Sequence, residues 1–459
     1  MAKPAPAAPP PAELRPGEPV TSLIDDTPVT WFHRRLTAFC SGGPFLDGFA
    51  LGVVGLALPQ IARQWQLSGL WQGMLAAAAL LGILVGGLVF GYVTDLVGRK
   101  VMYSLNIAAI AVCAAAQFFV TGPEQLLVLR VLLGVTIGAD YPIASSLLAE
   151  FAPRRSRPRL IGLQTIMWSA GNASAYLVGD ALLRLGPDAW RWILVSPAVP
   201  ALALALLRVG TPESPRWLLS KGRTDEALRV MRKVYGPGAR LDGIESRPAA
   251  TEFRQVFQGV YLRRTLFVAV FWTCSVTPVY ALYSFAPMLL DALGIDTAGG
   301  TETDNLGSVA IGLLLLAGTV VATLVAGRVR RRTLLVLPFA IASASLLALG
   351  LVPETSVGAV ALLLGVYTLF IGGPTILQWI YPNEIYPTEI RATAFGVGVA
   401  TSRVGAVLGT FVVPLLLTGV GVSATMLVVG AISAVGALVS VWLAPETHGH
   451  TLDEAARNG

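Results

Sequence analysis

Four ionisable side chains, Asp47, Arg130, Asp140 and Arg403, stand inside long apolar runs of this 459-residue chain. A charge there is costly unless it faces a partner or a wet cavity, so each is a candidate for binding or for proton movement. A guanidinium facing a cavity, as Arg403 in Ala400-Thr401-Ser402-Arg403-Val404-Gly405 would, attracts a carboxylate or phosphate and grips it with two parallel N–H groups. Asp140 follows Arg130 by ten positions, ~15 Å along a helix and ~80° around it, so the two need different partners. Gln164, Trp168 and Asn172 recur every four residues and share one helical stripe. Trp272, Tyr280, Gln378 and Trp379 are further polar and aromatic groups suited to lining the same space. Trp190, Trp192, Trp217 and Trp442, near span ends, read instead as interface anchors.

The elements that must position these residues are membrane spans. Only 13% of the chain is charged and 54% is hydrophobic, against about 25% charged in an ordinary soluble domain. Runs long enough to cross a bilayer, for which ~20 apolar residues suffice, fall at 37–62, 72–94, 101–121, 125–151, 160–183, 190–208, 265–290, 306–327, 333–352, 357–382, 392–418 and 422–444. The sequence therefore predicts an all-α membrane protein with twelve transmembrane helices. Basic clusters (Arg99/Lys100, Arg154/Arg155/Arg157/Arg159, Arg328/Arg330/Arg331/Arg332 and Arg391) occupy alternate loops. The others hold Glu124, Asp188, Asp291, Asp296, Glu302, Asp304 and Glu354. Basic loops stay inside, which predicts a multi-pass protein of the cytoplasmic (inner) membrane with both termini cytoplasmic. The net charge of +6 is accounted for by those loops and implies no nucleic-acid partner.

Domain organisation follows. Residues 1–36, opening rich in proline and alanine, predict a disordered cytoplasmic tail without a signal peptide. A bundle of six helices over 37–208 is separated from a second over 265–444 by a polar linker, 209–264, in which 225–233 reads as an amphipathic surface helix. A cytoplasmic tail, 445–459, follows. Two such halves suit a rocking carrier with its site at the midplane. Gly82/Gly86, Gly87/Gly91, Gly134/Gly138 and Gly405/Gly409 are spaced for close helix packing. Cys40, Cys113 and Cys274 lie in or beside apolar segments and read as core residues, and with His33, His448 and His450 the only histidines no metal site is expected. No nucleophile–base pair or phosphate-cradling loop points to an enzyme.

The stretch Gly91-Tyr92-Val93-Thr94-Asp95-Leu96-Val97-Gly98-Arg99-Lys100 resembles the loop between helices two and three of the major facilitator superfamily. Asp95 sits where a neighbouring helix N-terminus can share its charge. Pro212-Glu213-Ser214-Pro215-Arg216-Trp217-Leu218, Asn383-Glu384-Ile385-Tyr386-Pro387-Thr388-Glu389-Ile390-Arg391-Ala392-Thr393 and Pro445-Glu446-Thr447-His448-Gly449 resemble signatures of its sugar-porter and organic-ion branches. The resemblance implies a cytoplasmic gate of Asp95, Arg99, Glu150, Glu213, Arg216, Arg331, Arg332 and Glu384, with Arg99 or Arg216 pairing Glu150 and Arg331 or Arg332 pairing Glu384. The second half has no acidic counterpart of Asp95, so its lock is expected to be weaker.

Sugar porters similarly place an acid on helix one near an arginine on helix four, which makes Asp47, Arg130 and Asp140 the expected proton-coupling set, with Asp47 and Arg130 paired. Gly138-Ala139-Asp140-Tyr141-Pro142 resembles a phosphate–proton symporter motif in which the acid and the tyrosine line the cavity. The expected substrate-binding residues are Tyr141, Gln164, Trp168, Asn172, Trp272, Tyr280, Gln378, Trp379 and Arg403. Span seven lacks both the carboxylate of phosphate symporters and the paired glutamines of hexose porters, whereas aromatic-acid and organic-anion carriers have a similar arginine on helix eleven. The expected function is proton-coupled uptake of a small organic anion by a monomeric carrier that needs no cofactor beyond the proton gradient. A sugar or polyol porter, a phosphate symporter, a proton-driven exporter and a solute sensor are the alternatives.

Overall fold

The computed structural model describes residues 23–241, 251–292, 304–351 and 357–458, and the loop acids Asp296, Glu302 and Glu354 lie outside them. Among the described residues all regular structure is helical. This is the solution open to a chain in lipid, because a helix satisfies its own backbone polar groups. Twelve crossings can be traced: α1 Trp31–Gln64, α2 Gly69–Val97, α3 Arg99–Phe119, α4 Pro123–Phe151, α5 Arg157–Leu183, α6 Ala189–Arg208, α7 Gly259–Ala292, α8 Asp304–Val325, α9 Arg331–Leu349, α10 Gly358–Glu384, α11 Arg391–Gly409 and α12 Gly419–Leu443. The helical run from Arg391 to Leu443 divides at Gly421, whose φ of 84° a side chain would strain.

Two boundaries differ from expectation for polar reasons. The first crossing begins at Trp31, not 37, because Thr30 caps it: His33 Nδ1 accepts from the Thr30 backbone N–H at 3.1 Å, and its Nε2 lies 3.1 Å from the Phe151 carbonyl. Residues 23–36 are therefore built into the fold, which corrects the expected disordered tail over that stretch. A short helix, Leu23–Asp26, buries Asp25 between Arg157 at 2.5 Å and Arg216 at 2.6 Å. The seventh crossing begins at Gly259, not 265, since Arg264 is held there by the Ile385 and Ala456 carbonyls at 2.5 and 2.6 Å. The expected surface helix is Thr224–Tyr235, charged outside and burying Ala227 and Met231.

Glycine sets how closely the helices approach. A Cβ on Gly134 or Gly138 would lie 2.2 and 2.4 Å from the carbonyls of Ala79 and Ile83, so α4 runs directly on α2. A Cβ on Gly396 would lie 2.0 Å from the Gly87 carbonyl, which brings α11 of the second half onto α2 of the first. Gly405 and Gly409 play the same part between α11 and α7. Both described ends meet on one face, where Arg216 binds Asp25 and also Asp453 at 2.6 Å. This is called the terminal face below.

Candidate functional site

A cavity of about 70 Å³ lies between the halves. The first half lines it from α4 and α5 with Tyr141, Thr165, Trp168 and Ser169. The second lines it from α7, α8, α10 and α11, its polar groups including Tyr280, Thr319, Gln378 and Arg403. Behind this wall sits Asp47, 2% exposed, whose Oδ2 accepts from the Tyr141 hydroxyl and, at 2.7 Å, from the Trp168 indole N–H. The Tyr141 ring packs against Trp379 with centroids 4.9 Å apart, and the Arg403 guanidinium carbon stands 5.5 Å from the Tyr141 ring. Arg403, 4% exposed, donates from Nη1 to the Tyr280 hydroxyl at 2.8 Å and has no acidic partner among the described residues. One tyrosine thus separates a buried acid of the first half from a buried cation of the second.

Several expected positions fall elsewhere. Asp47 and Arg130 do not pair: Arg130 donates from Nη1 to the Ala50 carbonyl at 3.3 Å, because Tyr141 and Trp168 already hold the carboxylate. Asp140 is turned away from the cavity, since successive helical residues point ~100° apart and Tyr141 takes the inward direction. It pairs with Arg208 at 2.9 Å and accepts from Asn106 at 3.3 Å among α1, α3 and α6. Arg208 ends the sixth apolar run and reads in sequence as a loop cation; the missing partner of Asp140 was the signal for it. Gln164 is fully buried with neither amide atom partnered among the described residues, and Asn172 reaches the Gly48 carbonyl at 3.5 Å. Neither lines the cavity. Of the expected stripe on α5 only Trp168 does, with Thr165 and Ser169 beside it. Trp272, Tyr280, Gln378 and Trp379 all line it, Gln378 donating to the Ser275 hydroxyl at 2.6 Å.

On the terminal face the halves are joined by buried charge. Arg99 lies 2.8 Å from Asp95 and 3.1 Å from Glu150, and it donates at 2.9 Å to the Thr388 carbonyl of the other half. Glu150 also binds Arg391 at 2.8 Å. Asp95 accepts from the backbone N–H groups of Ala392 at 3.3 Å and Thr393 at 2.7 Å, so it sits on the N-terminus of α11, where the helix dipole favours an anion. Asn383 meets Ser145 across the same seam at 2.5 Å.

The second half repeats part of this arrangement within itself. Arg331 lies 3.3 Å from Glu384, whose other contact is the Thr447 hydroxyl at 2.5 Å. The acids of the two Pro-Glu motifs cap matching helices. Glu213 accepts from the Arg99 and Lys100 N–H groups at 3.1 and 3.0 Å, Glu446 from those of Arg331 and Arg332 at 2.9 and 3.4 Å. Burial raises the Glu213 carboxyl above its ordinary value, while the N–H groups of Ser214 and Lys100 pull it back. In each expected alternative the first arginine is the partner: Arg216 binds Asp25 and Asp453 while Arg99 takes Glu150, and the Arg332 side chain reaches the Val441 carbonyl while Arg331 takes Glu384. Arg391 was the unforeseen member, marked in sequence only as a loop cation after Pro387.

Two six-helix halves around a shared cavity, bridged on one face by the buried Arg391–Glu150 pair, are the architecture of a membrane carrier. Residues 36–458 match the family described as sugar (and other) transporter, and the chain belongs to that family. It is 42% identical to the metabolite transport protein YaaU of Escherichia coli (strain K12), covering 94% of this chain and 96% of that one. It is 35% identical to the inner membrane metabolite transport protein YgcS of the same strain over 95% and 96%. Its fold is that of the proton:xylose symporter XylE of E. coli bound to 6-bromo-6-deoxy-D-glucose, at a TM-score of 0.78 and 20% identity over 93% of this chain and 98% of that one. The protein is a transporter, with the fold of that major facilitator symporter.

Proposed function

We propose that this transporter takes up a small hydroxylated organic anion together with one proton, by alternating access. The observation that carries the anion is Arg403, a buried cation on the cavity wall that donates to a tyrosine hydroxyl and forms no ion pair among the described residues. A solute carboxylate supplies the direct ion pair that Arg403 lacks. Hydroxyls of Thr165, Ser169 and Thr319 and the rings of Trp168, Trp272 and Trp379 suit a polar, hydroxylated body.

Charge bookkeeping supports the proton. The empty site holds Arg403 positive and Asp47 negative; the loaded site holds the Arg403–anion pair and a neutral, protonated Asp47. Arg403, Asp47 and the load sum to zero in both, and Arg130 contributes equally to each, so loading brings no added charge into the low-dielectric interior. Tyr141 links the two loads, as it contacts the acid and faces the cation. In this reading the terminal face is cytoplasmic, as the basic loops imply, and the bridges of Arg99, Glu150 and Arg391 and of Asp95 with α11 form the gate that holds it shut. The protein works as a monomer in the cell membrane and needs no cofactor.

A sugar or polyol is the second reading, favoured by the family and by the xylose symporter whose fold the chain shares. Uptake of radiolabelled gluconate-like acids, benzoates, hexoses and phosphate into proteoliposomes under an imposed pH gradient separates the readings. Acid uptake lost in Arg403→Gln supports the anion; hexose uptake unaffected by that change supports the sugar.

A further inference from the structure

Beyond solute transport, the geometry points to a second binding site: a phosphodiester pocket for the headgroup of one anionic phospholipid, where α1 and α6 meet at the terminal face. The pocket, about 190 Å³, is lined by Phe32, Arg35, Phe39, Thr211, Lys233 and Val234 among others. It brings together the first turns of α1, the chain just past α6 and the surface helix Thr224–Tyr235.

Its two cations are unspent. Arg35 lies against aromatic rings, 5.6 Å from that of Trp31 and 5.1 Å from that of Phe39, an arrangement that fixes the guanidinium and leaves its charge uncompensated. Among the described residues neither Arg35 nor Lys233 makes an ion pair or a side-chain hydrogen bond. Both are exposed, whereas the buried arginines of this face, Arg99, Arg157, Arg216, Arg331 and Arg391, are all paired. Two cations lining one pocket fit one phosphate group. The walls say which phosphate. Leu206, Val209 and Trp31 are 77%, 70% and 70% exposed beside the pocket, an apolar flank continuous with the lipid-facing surface of α6. Acyl chains lying on that flank place the headgroup between Arg35 and Lys233, whereas a free phosphate gains nothing from it. Exposed Arg34 and Arg232 nearby hold the same face against an anionic leaflet. The lipid would staple the surface helix to α1, so the linker between the halves is tied to the membrane at this corner.

The test is native mass spectrometry of the full chain in neutral detergent, titrated with phosphatidylglycerol, phosphatidylcholine or inorganic phosphate. The wild type is expected to retain one phosphatidylglycerol in preference to phosphatidylcholine. The double substitution Arg35→Gln/Lys233→Gln is expected to weaken that retention about thirtyfold, and each single one roughly fivefold, the contribution of one basic side chain at an anionic surface. Arg229→Gln, outside the pocket, is expected to leave it unchanged. Equal retention of the two lipids, undiminished retention in the double variant, or displacement of phosphatidylglycerol by an equal concentration of inorganic phosphate would overturn the proposal.

Discussion

At the scale of single residues, the account rests on the division of labour between Asp47 and Arg403. In Asp47→Asn the acid is fixed neutral. The anion-loaded site is then neutral and can reorient, but the empty site carries the bare Arg403 charge and cannot return. Exchange of labelled for unlabelled solute is therefore expected to persist while net uptake driven by a pH gradient falls to background, read by counterflow and by uptake in the same vesicles. Arg403→Gln removes the charge-assisted contact itself, and binding is expected to weaken by about tenfold or more, read by isothermal titration of the purified protein. The types of these residues were legible from their intrusion into apolar runs; their partners were not. Sequence spacing fixes which side of a helix a residue shares with its own neighbours, yet says nothing of which helix lies opposite. So Asp47 was matched to Arg130 when Tyr141 and Trp168 hold it, and Asp140 was placed in the cavity when one residue's rotation turns it to Arg208.

At the scale of elements, the helix seams separate stability from conformation. Gly134→Ala sets a Cβ against the Ala79 carbonyl inside the first half, and overpacking of that kind costs about 1–3 kcal/mol. A lower melting temperature in detergent is expected. Gly55→Ala, with open space around it on the exposed side of α1, is expected to be neutral or slightly stabilising. Gly396→Ala strains the junction between the halves, so it acts on the closed state rather than on either bundle. Glu150→Gln leaves Arg99 and Arg391 buried without their shared carboxylate, which costs the closed face about 3 kcal/mol, on the order of a hundredfold in population. Both changes are expected to speed maleimide labelling of a cysteine placed at Ser145, which is buried at the seam in the closed form. Labelling no faster than in the parent would contradict the seal. Arg99 with Glu150 and Arg331 with Glu384 were readable as pairs because each arginine belongs to a local motif. Asp25 and Asp453 were not, because each sits in a polar segment whose hydropathy gives no sign that folding will bury it.

At the scale of the whole molecule, twelve apolar runs were enough to mark the helices, since hydrophobic length is a property of the bilayer more than of any one contact. The substrate is a property of the cavity, assembled from α4, α5, α7, α8, α10 and α11, and no single stretch contains it. The claim that unites these levels is electroneutrality: one anion and one proton cross together because the Asp47–Arg403 site is neutral when empty and neutral when full. The most direct measurement is accumulation of labelled gluconate in proteoliposomes under an inward proton gradient, with the membrane potential set independently by potassium and valinomycin. The account predicts accumulation that a protonophore abolishes and that an imposed potential of either sign leaves unchanged. Accumulation of a hexose but not the acid, or uptake that follows the potential, would contradict it.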